Sequence, residues 1–299
     1  MSSSLPPASA AANVRRVRLA TFNLLHGRSV DDSAVDANRL RAVARQLAAD
    51  VLCLQEVDYR QPRSHQCDMT RVVAEAMGAA AWRFEPTLVG IPGGAWRKPD
   101  PDALRAHGGN GAAATPSSSP EAAYGIGLVS RHPVRQWRGM RFAAAPVRSP
   151  VLMPGTSRPM LLDDEPRAGL AAVLDTPDGP LTVVCTHLSF VPGWNVRQLR
   201  QLTAAVADLP EPLVVLGDLN LPGRMPHLIT GWQQLARVPT YPAWQPRVQL
   251  DHALAREAGW TPTTVEAVPL ELSDHCALVI DTPLPTPSLS APLRRRMEG

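Results

Sequence analysis

The chain has 299 residues, 44% apolar and 19% charged, with 30 Lys+Arg against 27 Asp+Glu. That is apolar material for one large domain or two small ones, and a net charge of +3 is too small to announce a nucleic-acid-binding surface, though a local basic cleft stays open. No apolar run approaches the roughly 20 residues of a membrane span, and the opening MSSSLPPASAAANVRR lacks the charged-then-apolar order of a secretion signal. Of the four cysteines, Cys53, Cys185 and Cys276 sit in apolar runs and no pair, Cys67 included, has zinc-ligand or redox spacing. Reduced core thiols in a cytoplasmic protein are therefore expected.

Residues 1–15 are rich in Ser, Ala and Pro and read as a disordered tail. A strand is predicted at 17–22 (VRLATF). A helix follows over 36–49, where Leu40, Val43, Ala44 and Leu47 share a face and Asp36 caps the start. The next strand is 51–57 (VLCLQEV). Residues 90–121 contain GIPGG, HGGNGAAA and TPSSSP and read as a flexible insertion that cannot pack a core. Strands are then predicted at 125–130, 169–174 and 181–188, the last two forming a hairpin around Pro177-Asp178-Gly179. A second helix is expected over 196–209, followed by strands at 212–219, 248–254 and 276–282. Residues 283–299, with four prolines and Arg294–Arg296, read as a tail. The result is one domain over 16–282, with packed sheets flanked by helices rather than a doubly wound sheet.

The ends of these strands carry the chemistry. The run 17–22 leads into Asn23, 51–55 into Glu56, 181–186 into His187, 213–217 into Asp218 and Asn220, and 248–250 into Asp251. The last strand is preceded by Ser273-Asp274-His275. A buried carboxylate is expensive unless paired or bound to a cation. One such residue is usually structural; a set from separate strands points to a shared site. Carboxylates and amides without a thiolate cluster suit a hard cation, Mg²⁺ or Mn²⁺, and Asn and His are good donors to phosphate oxygens. His252, beside Asp251, should face the other way if the strand continues. The glycine-rich stretches lack the context of a phosphate-binding loop, and the histidines lack the clustering of a zinc hydrolase.

The ordered motifs TFNLLHG, LCLQEVD, YGIGLVSRHPV, EPRAGL, CTHL, LGDLN, LDHAL and LSDHCALVI resemble the endonuclease/exonuclease/phosphatase superfamily, with its deoxyribonuclease I-like fold, over about residues 17–281. The resemblance implies a four-layer α/β sandwich, two packed mainly antiparallel sheets flanked by helices. It also implies that Glu56 is the main metal ligand, with Asn23 and Asp274 beside the metal. Asp218 would orient or deprotonate the attacking water, and Asn220 would hold a phosphate oxygen. His275, oriented by Asp251, and His187 would face the scissile phosphate, with Arg167 as a further phosphate contact. No acid in the sequence matches the one that orients the His187-type residue in some relatives. The activity implied is metal-dependent hydrolysis of a phosphodiester in a nucleic acid, a lipid or a small molecule. The alternatives are a phosphomonoesterase or a binding module that keeps the fold. Few basic residues in 90–121 (Arg97, Lys98, Arg105) disfavour extensive duplex contact.

Overall fold

The computed structural model of the chain describes residues 16–100, 108–110, 121–151 and 159–285. In chain order the strands are β1 (Val17–Asn23), β2 (Val51–Tyr59), β3 (Ala81–Gly90), β4 (Trp96–Arg97), β5 (Gly108–Asn110), β6 (Ala123–Ser130), β7 (Val134–Phe142) and β8 (Ser149–Val151). There follow β9 (Met160–Leu162), β10 (Arg167–Thr176), β11 (Gly179–His187), β12 (Leu213–Asp218), β13 (Gln233–Gln234), β14 (Asp251–Ala255), β15 (Thr264–Val268) and β16 (Ala277–Thr282). The helices are α1 (Ala37–Leu47), α2 (Met69–Met77), α3 (Trp194–Ala205) and α4 (Met225–Thr230).

One sheet runs β15-β16-β1-β2-β6-β3-β4, with β5 also on β3; the other runs β13-β14-β12-β11-β10-β7. Each is antiparallel apart from one parallel pair, β1–β2 and β11–β12 respectively. A two-stranded β8–β9 ribbon stands apart from both.

The layering follows from alternation along each strand. Val17 and Leu19 of β1, Val51 and Cys53 of β2, Val183 and Cys185 of β11, and Val214 and Leu216 of β12 belong to the core between the sheets. Their neighbours Ala20, Phe22, Leu52 and Leu54 join α1 and α2 on one outer face. Val184 and Val215 join Leu199 and Leu202 of α3 on the other. Strands covered on both faces read as continuous apolar runs, which is why these were legible in the sequence. Burial of each such Val or Leu contributes about 1.5–3 kcal/mol, and this offsets placing charged groups at the strand ends.

Expected and observed elements differ in instructive places. The Asp36 side chain caps α1 by accepting the Asn38 N–H at 2.7 Å. The second predicted helix starts at Trp194 and stops at Ala205, although Val206 and Leu209 stay in its core cluster. The hairpin around 177–179 is present, with Thr176 opposite Gly179. The strand expected from 248 begins only at Asp251. Besides β4, β5, β8, β9, β13, β15 and α4, three longer elements were not expected. Of these, β3 contains Pro86, which sits at a register break against β6. β7 is an edge strand with exposed Arg135, Gln136 and Arg141, so its apolar signal is thin. The third is α2.

Within the expected insertion, β4 and β5 both pair with β3. Residues 101–107 and 111–120 of that insertion, the tail 1–15 and most of the tail 283–299 lie outside the described residues. Among the described residues no helix is long and apolar enough to cross a membrane.

Candidate active site

The inward-facing parity that fills the core continues to the strand ends and turns polar there. Residues 183 and 185 of β11 are followed by His187, and residues 214 and 216 of β12 by Asp218. Register does the rest. His187 pairs across β11–β12 with Asp218, and Asp218 pairs across β12–β14 with Asp251. Three ionisable side chains thus stand side by side on adjacent strands.

Two directly opposed carboxylates repel, and His275 from the loop before β16 lies with both. Its Nδ1 donates to Asp251 Oδ2 at 2.8 Å, and its Nε2 lies 3.8 Å from Asp218 Oδ2. Burial alone would lower the imidazole pKa, but the Asp251 carboxylate and its hydrogen bond, with Asp218 and Asp274 nearby, outweigh that and raise it to about 10. His275 is therefore an imidazolium at neutral pH. Its backbone N–H donates to Ser273 Oγ at 3.1 Å, and the Tyr241 ring lies 4.9 Å away between centroids. His252 points elsewhere, its Nε2 bonded to the Leu221 carbonyl at 2.7 Å.

Asp218 sits in a tight turn. At Gly217 a Cβ would lie 2.0 Å from the Thr186 carbonyl oxygen, so no other residue fits against β11 there. Asn220 adopts φ +49°, a conformation Asn tolerates better than most. Its N–H donates to Asp218 Oδ1 at 3.0 Å. Its side-chain Nδ2 donates to the Leu188 carbonyl at 3.0 Å and lies 3.4 Å from His187 Nε2. Burial pushes the Asp218 carboxyl up from the ordinary range, against the pull of His275.

The strand carrying Glu56 was expected over 51–57, and β2 runs on to Tyr59. Leu54 pairs with Gly127 and Val57 with Gly125, so Gln55 and Glu56 together oppose Ile126 alone. This β-bulge breaks the alternation. It also puts Glu56 at φ +54°, a conformation costing about 1–2 kcal/mol. Glu56 Oε1 accepts from Asn23 Nδ2 at 3.0 Å. The same Nδ2 donates to Asp218 Oδ2 at 3.1 Å, so one amide ties the two carboxylates together. The Asn23 oxygen accepts the Leu25 N–H at 3.1 Å. Asn23, expected beside the metal, presents its amide donors to Glu56 and Asp218.

Glu56, half-buried and with its pKa raised by burial despite that bond, has no other hydrogen-bond donor among the described residues. It lines a cleft of about 720 Å³ together with Tyr124, Arg167 and Phe190. Asp274 lies close enough for its charge to contribute to the raised pKa of Glu56. The Glu56 carboxylate, short of protein partners and open to the cleft, fits a hard divalent cation. The Asp218, Asp251 and His275 ligand atoms also lie within 4.8 Å of one another. There, however, the His275–Asp251 hydrogen bond already occupies the imidazole Nδ1.

Arg167 is buried at the start of β10. Its Nη1 lies 3.2 Å from both ring nitrogens of His187, and its Nη2 reaches Asp164 Oδ1 at 3.4 Å. Its buried Nε has no partner among the described residues. A guanidinium lining a cleft is suited to an anion. His187 is held well below its ordinary pKa by burial, then by the Arg167 and His275 charges, and is a neutral imidazole. Among the described residues its nearest carboxylate is Asp218, at 3.6 Å.

Sequence reasoning missed Asp164. Its side chain is wholly buried and accepts from Ser189 Oγ at 2.7 Å and the Ala145 N–H at 2.8 Å, besides holding Arg167. The sequence signal was the run Asp163-Asp164-Glu165 just before Arg167, but nothing local says which acid is buried.

Solved structures share this architecture. An endonuclease/exonuclease/phosphatase of Beutenbergia cavernae is 23% identical, with 91% of this chain and 72% of that one covered and a TM-score of 0.59. The human Nocturnin catalytic domain with bound sulfate is 16% identical over 90% and 94%, with a TM-score of 0.54. The mannosyl-6-phosphatase Bt3783 of Bacteroides thetaiotaomicron is 12% identical over 89% and 99%, with a TM-score of 0.54. At these identities the likeness is one of fold. No curated protein matches the chain. The family assignment comes from the sequence itself: the motifs that supply Asn23, Glu56, His187, Asp218, Asp251 and His275 lie along the stretch 20–275 matched by a model of the endonuclease/exonuclease/phosphatase family, and the chain belongs to that family.

Proposed function

We propose that the chain is a divalent-metal-dependent phosphoric ester hydrolase that cleaves a phosphodiester by in-line attack of water. The observation that carries this reading is the junction at Asp218, where one carboxylate meets Asn23, Asn220, His187 and His275 within 3.8 Å.

Asp218 is the base: it takes a proton from water as the water oxygen bonds to phosphorus, while the bond to the leaving oxygen breaks and that oxygen takes up a proton from solvent. Asn23 and the Asn220 N–H fix the direction of the carboxylate. The imidazolium of His275, oriented by Asp251, and the Arg167 guanidinium stabilise charge on the non-bridging oxygens. His187, neutral, serves as a hydrogen-bonding group together with Asn220. Glu56 and Asp274 would hold the cation, Mg²⁺ or Mn²⁺, which when bound supplies charge that polarises the phosphoryl group. The four free cysteines suit a cytoplasmic setting.

The test is hydrolysis of a chromogenic phosphodiester and its monoester counterpart, with Mg²⁺ and with chelator. Metal-dependent cleavage favouring the diester is expected. Preference for the monoester would make the chain a phosphatase, and no cleavage of any ester would leave a binding module.

A further inference from the structure

The cleft above Glu56 and Arg167 has an unusual wall. Its lining charges are the carboxylates Glu56, Asp163, Asp164 and Glu165 against the guanidiniums Arg148 and Arg167. A groove that tracks a polynucleotide needs the opposite sign. An excess of carboxylates, holding the cation proposed above, suits a substrate bringing a single phosphate charge rather than a polyanion.

Besides Tyr124 and Phe190, the rest of the lining comes from two segments. The turn between β3 and β4 contributes Gly93, Gly94 and, at its end, Trp96; the β8–β9 ribbon contributes Leu161 and Leu162. Both are tied down at their bases. The first is closed by the Ile91 N–H to the Ala95 carbonyl at 3.0 Å and the Gly94 N–H to the Ile91 carbonyl at 2.9 Å. The ribbon is clamped at its base by the two-pronged Arg148–Asp163 pair at 2.9 and 3.0 Å, and by Asp164 on the Ala145 N–H. Yet these segments hold large apolar side chains in water: Ile91 is 51% exposed, Met160 53% and Leu161 64%, with Trp96 and Val147 beside them. They account for half of the ten exposed large hydrophobics among the described residues, concentrated on two segments that share the lining of one cleft.

We infer that the Ile91–Trp96 turn and the described strand Met160–Leu162 form an interfacial docking wall, and that the substrate is a phosphodiester lipid presented at a bilayer surface. The inference rests on the hydrolase reading above and names its substrate class. Trp96, Leu161 and Leu162 line the same cleft as Glu56 and Arg167. A lipid can therefore lay its phosphate against those residues while its acyl region stays with Trp96, Met160 and Leu161. The acidic lining favours a zwitterionic surface over an anionic one.

The experiment uses the full chain and phosphatidylcholine vesicles in two arms. Sedimentation in chelator reads docking without chemistry. Turnover with Mg²⁺ is read as the ratio of vesicle lipid to soluble chromogenic diester. The wild type should pellet with vesicles. The double variant Met160→Asp/Leu161→Asp should stay in the supernatant and lower the ratio at least tenfold. Ile91→Asp on the other segment should act in the same direction. Leu228→Asp, at a 71% exposed position on α4, is the control and should keep the wild-type ratio. A wild type that stays in the supernatant, variants that match it, a control that loses as much as they do, or preference for a single-stranded oligonucleotide over vesicle lipid would each overturn the proposal. Vesicle pelleting lost in the variants, with no ester cleaved by any form, would uphold the wall and sink the hydrolase.

Discussion

Replacing Asp218 by Asn separates catalysis from folding at this site. The two side chains are nearly the same shape, so Oδ1 can still accept the Asn220 N–H now at 3.0 Å. The amide nitrogen would replace Oδ2, and there it meets the Asn23 Nδ2 donor at 3.1 Å, which must turn away. Lost with that hydrogen bond is a buried carboxylate beside Asp251, whose burial pushes its pKa up. An acid that resists ionisation in the fold costs stability when ionised, so removing the charge should roughly cancel the lost bond, a change within about 1 kcal/mol. Catalysis has no such offset. Without a base of this placement turnover should fall about 10²–10⁴-fold, or about 3–5 kcal/mol in barrier height at about 1.4 kcal/mol per decade. The assay is kcat on a chromogenic diester at saturating Mg²⁺, paired with urea unfolding of the same sample. A variant folded like the wild type with near-wild-type kcat would refute the role of Asp218. A variant that failed to fold would refute the stability argument.

Glu56→Gln should weaken Mg²⁺ binding at least about tenfold, because a neutral amide is a poorer ligand for a hard cation; calorimetry showing unchanged affinity would move the metal away from Glu56. The His275–Asp251 pair predicts the alkaline limb of the pH profile. With its pKa raised to about 10, His275 stays charged until pH rises through that value, and its contribution to stability is whole below the ordinary 6.5 and lost over the same rise. Asp251→Asn removes the anion, so the alkaline limb of kcat/KM should move down towards neutrality with a smaller loss of rate than Asp218→Asn causes; a limb that stays put would dismiss Asp251 as the orienting group. Gly217→Ala puts a methyl 2.0 Å from the Thr186 oxygen and should destabilise the fold by about 1–3 kcal/mol or more, which a urea midpoint equal to wild type would contradict.

Much of this architecture was legible before the structure. Runs such as VLCLQ and LTVVC are apolar on both faces because their strands lie between a facing sheet and helices. The polar residue ending each run followed directly. The α1 cap at Asp36 and the 177–179 hairpin were equally local, and local chemistry is what a sequence states openly. Elements whose signal was diluted went unseen: β3 with its internal Pro86, and β7 at a solvent-facing edge.

The inventory of the site could be read from the chain alone: which side chains end which strands, and that they suit a cation and a phosphate. Their arrangement came with the fold. The register placing His187, Asp218 and Asp251 in one row is a property of strand pairs up to 33 residues apart. The Glu56 bulge exists because β2 must pair with β6 on both sides of it. Asp164 became visible only once its carboxylate was buried against Ser189 and Arg167. Alternation along a strand is local and survives in the sequence, whereas pairing, bulging and burial are set by distant partners that no single segment encodes.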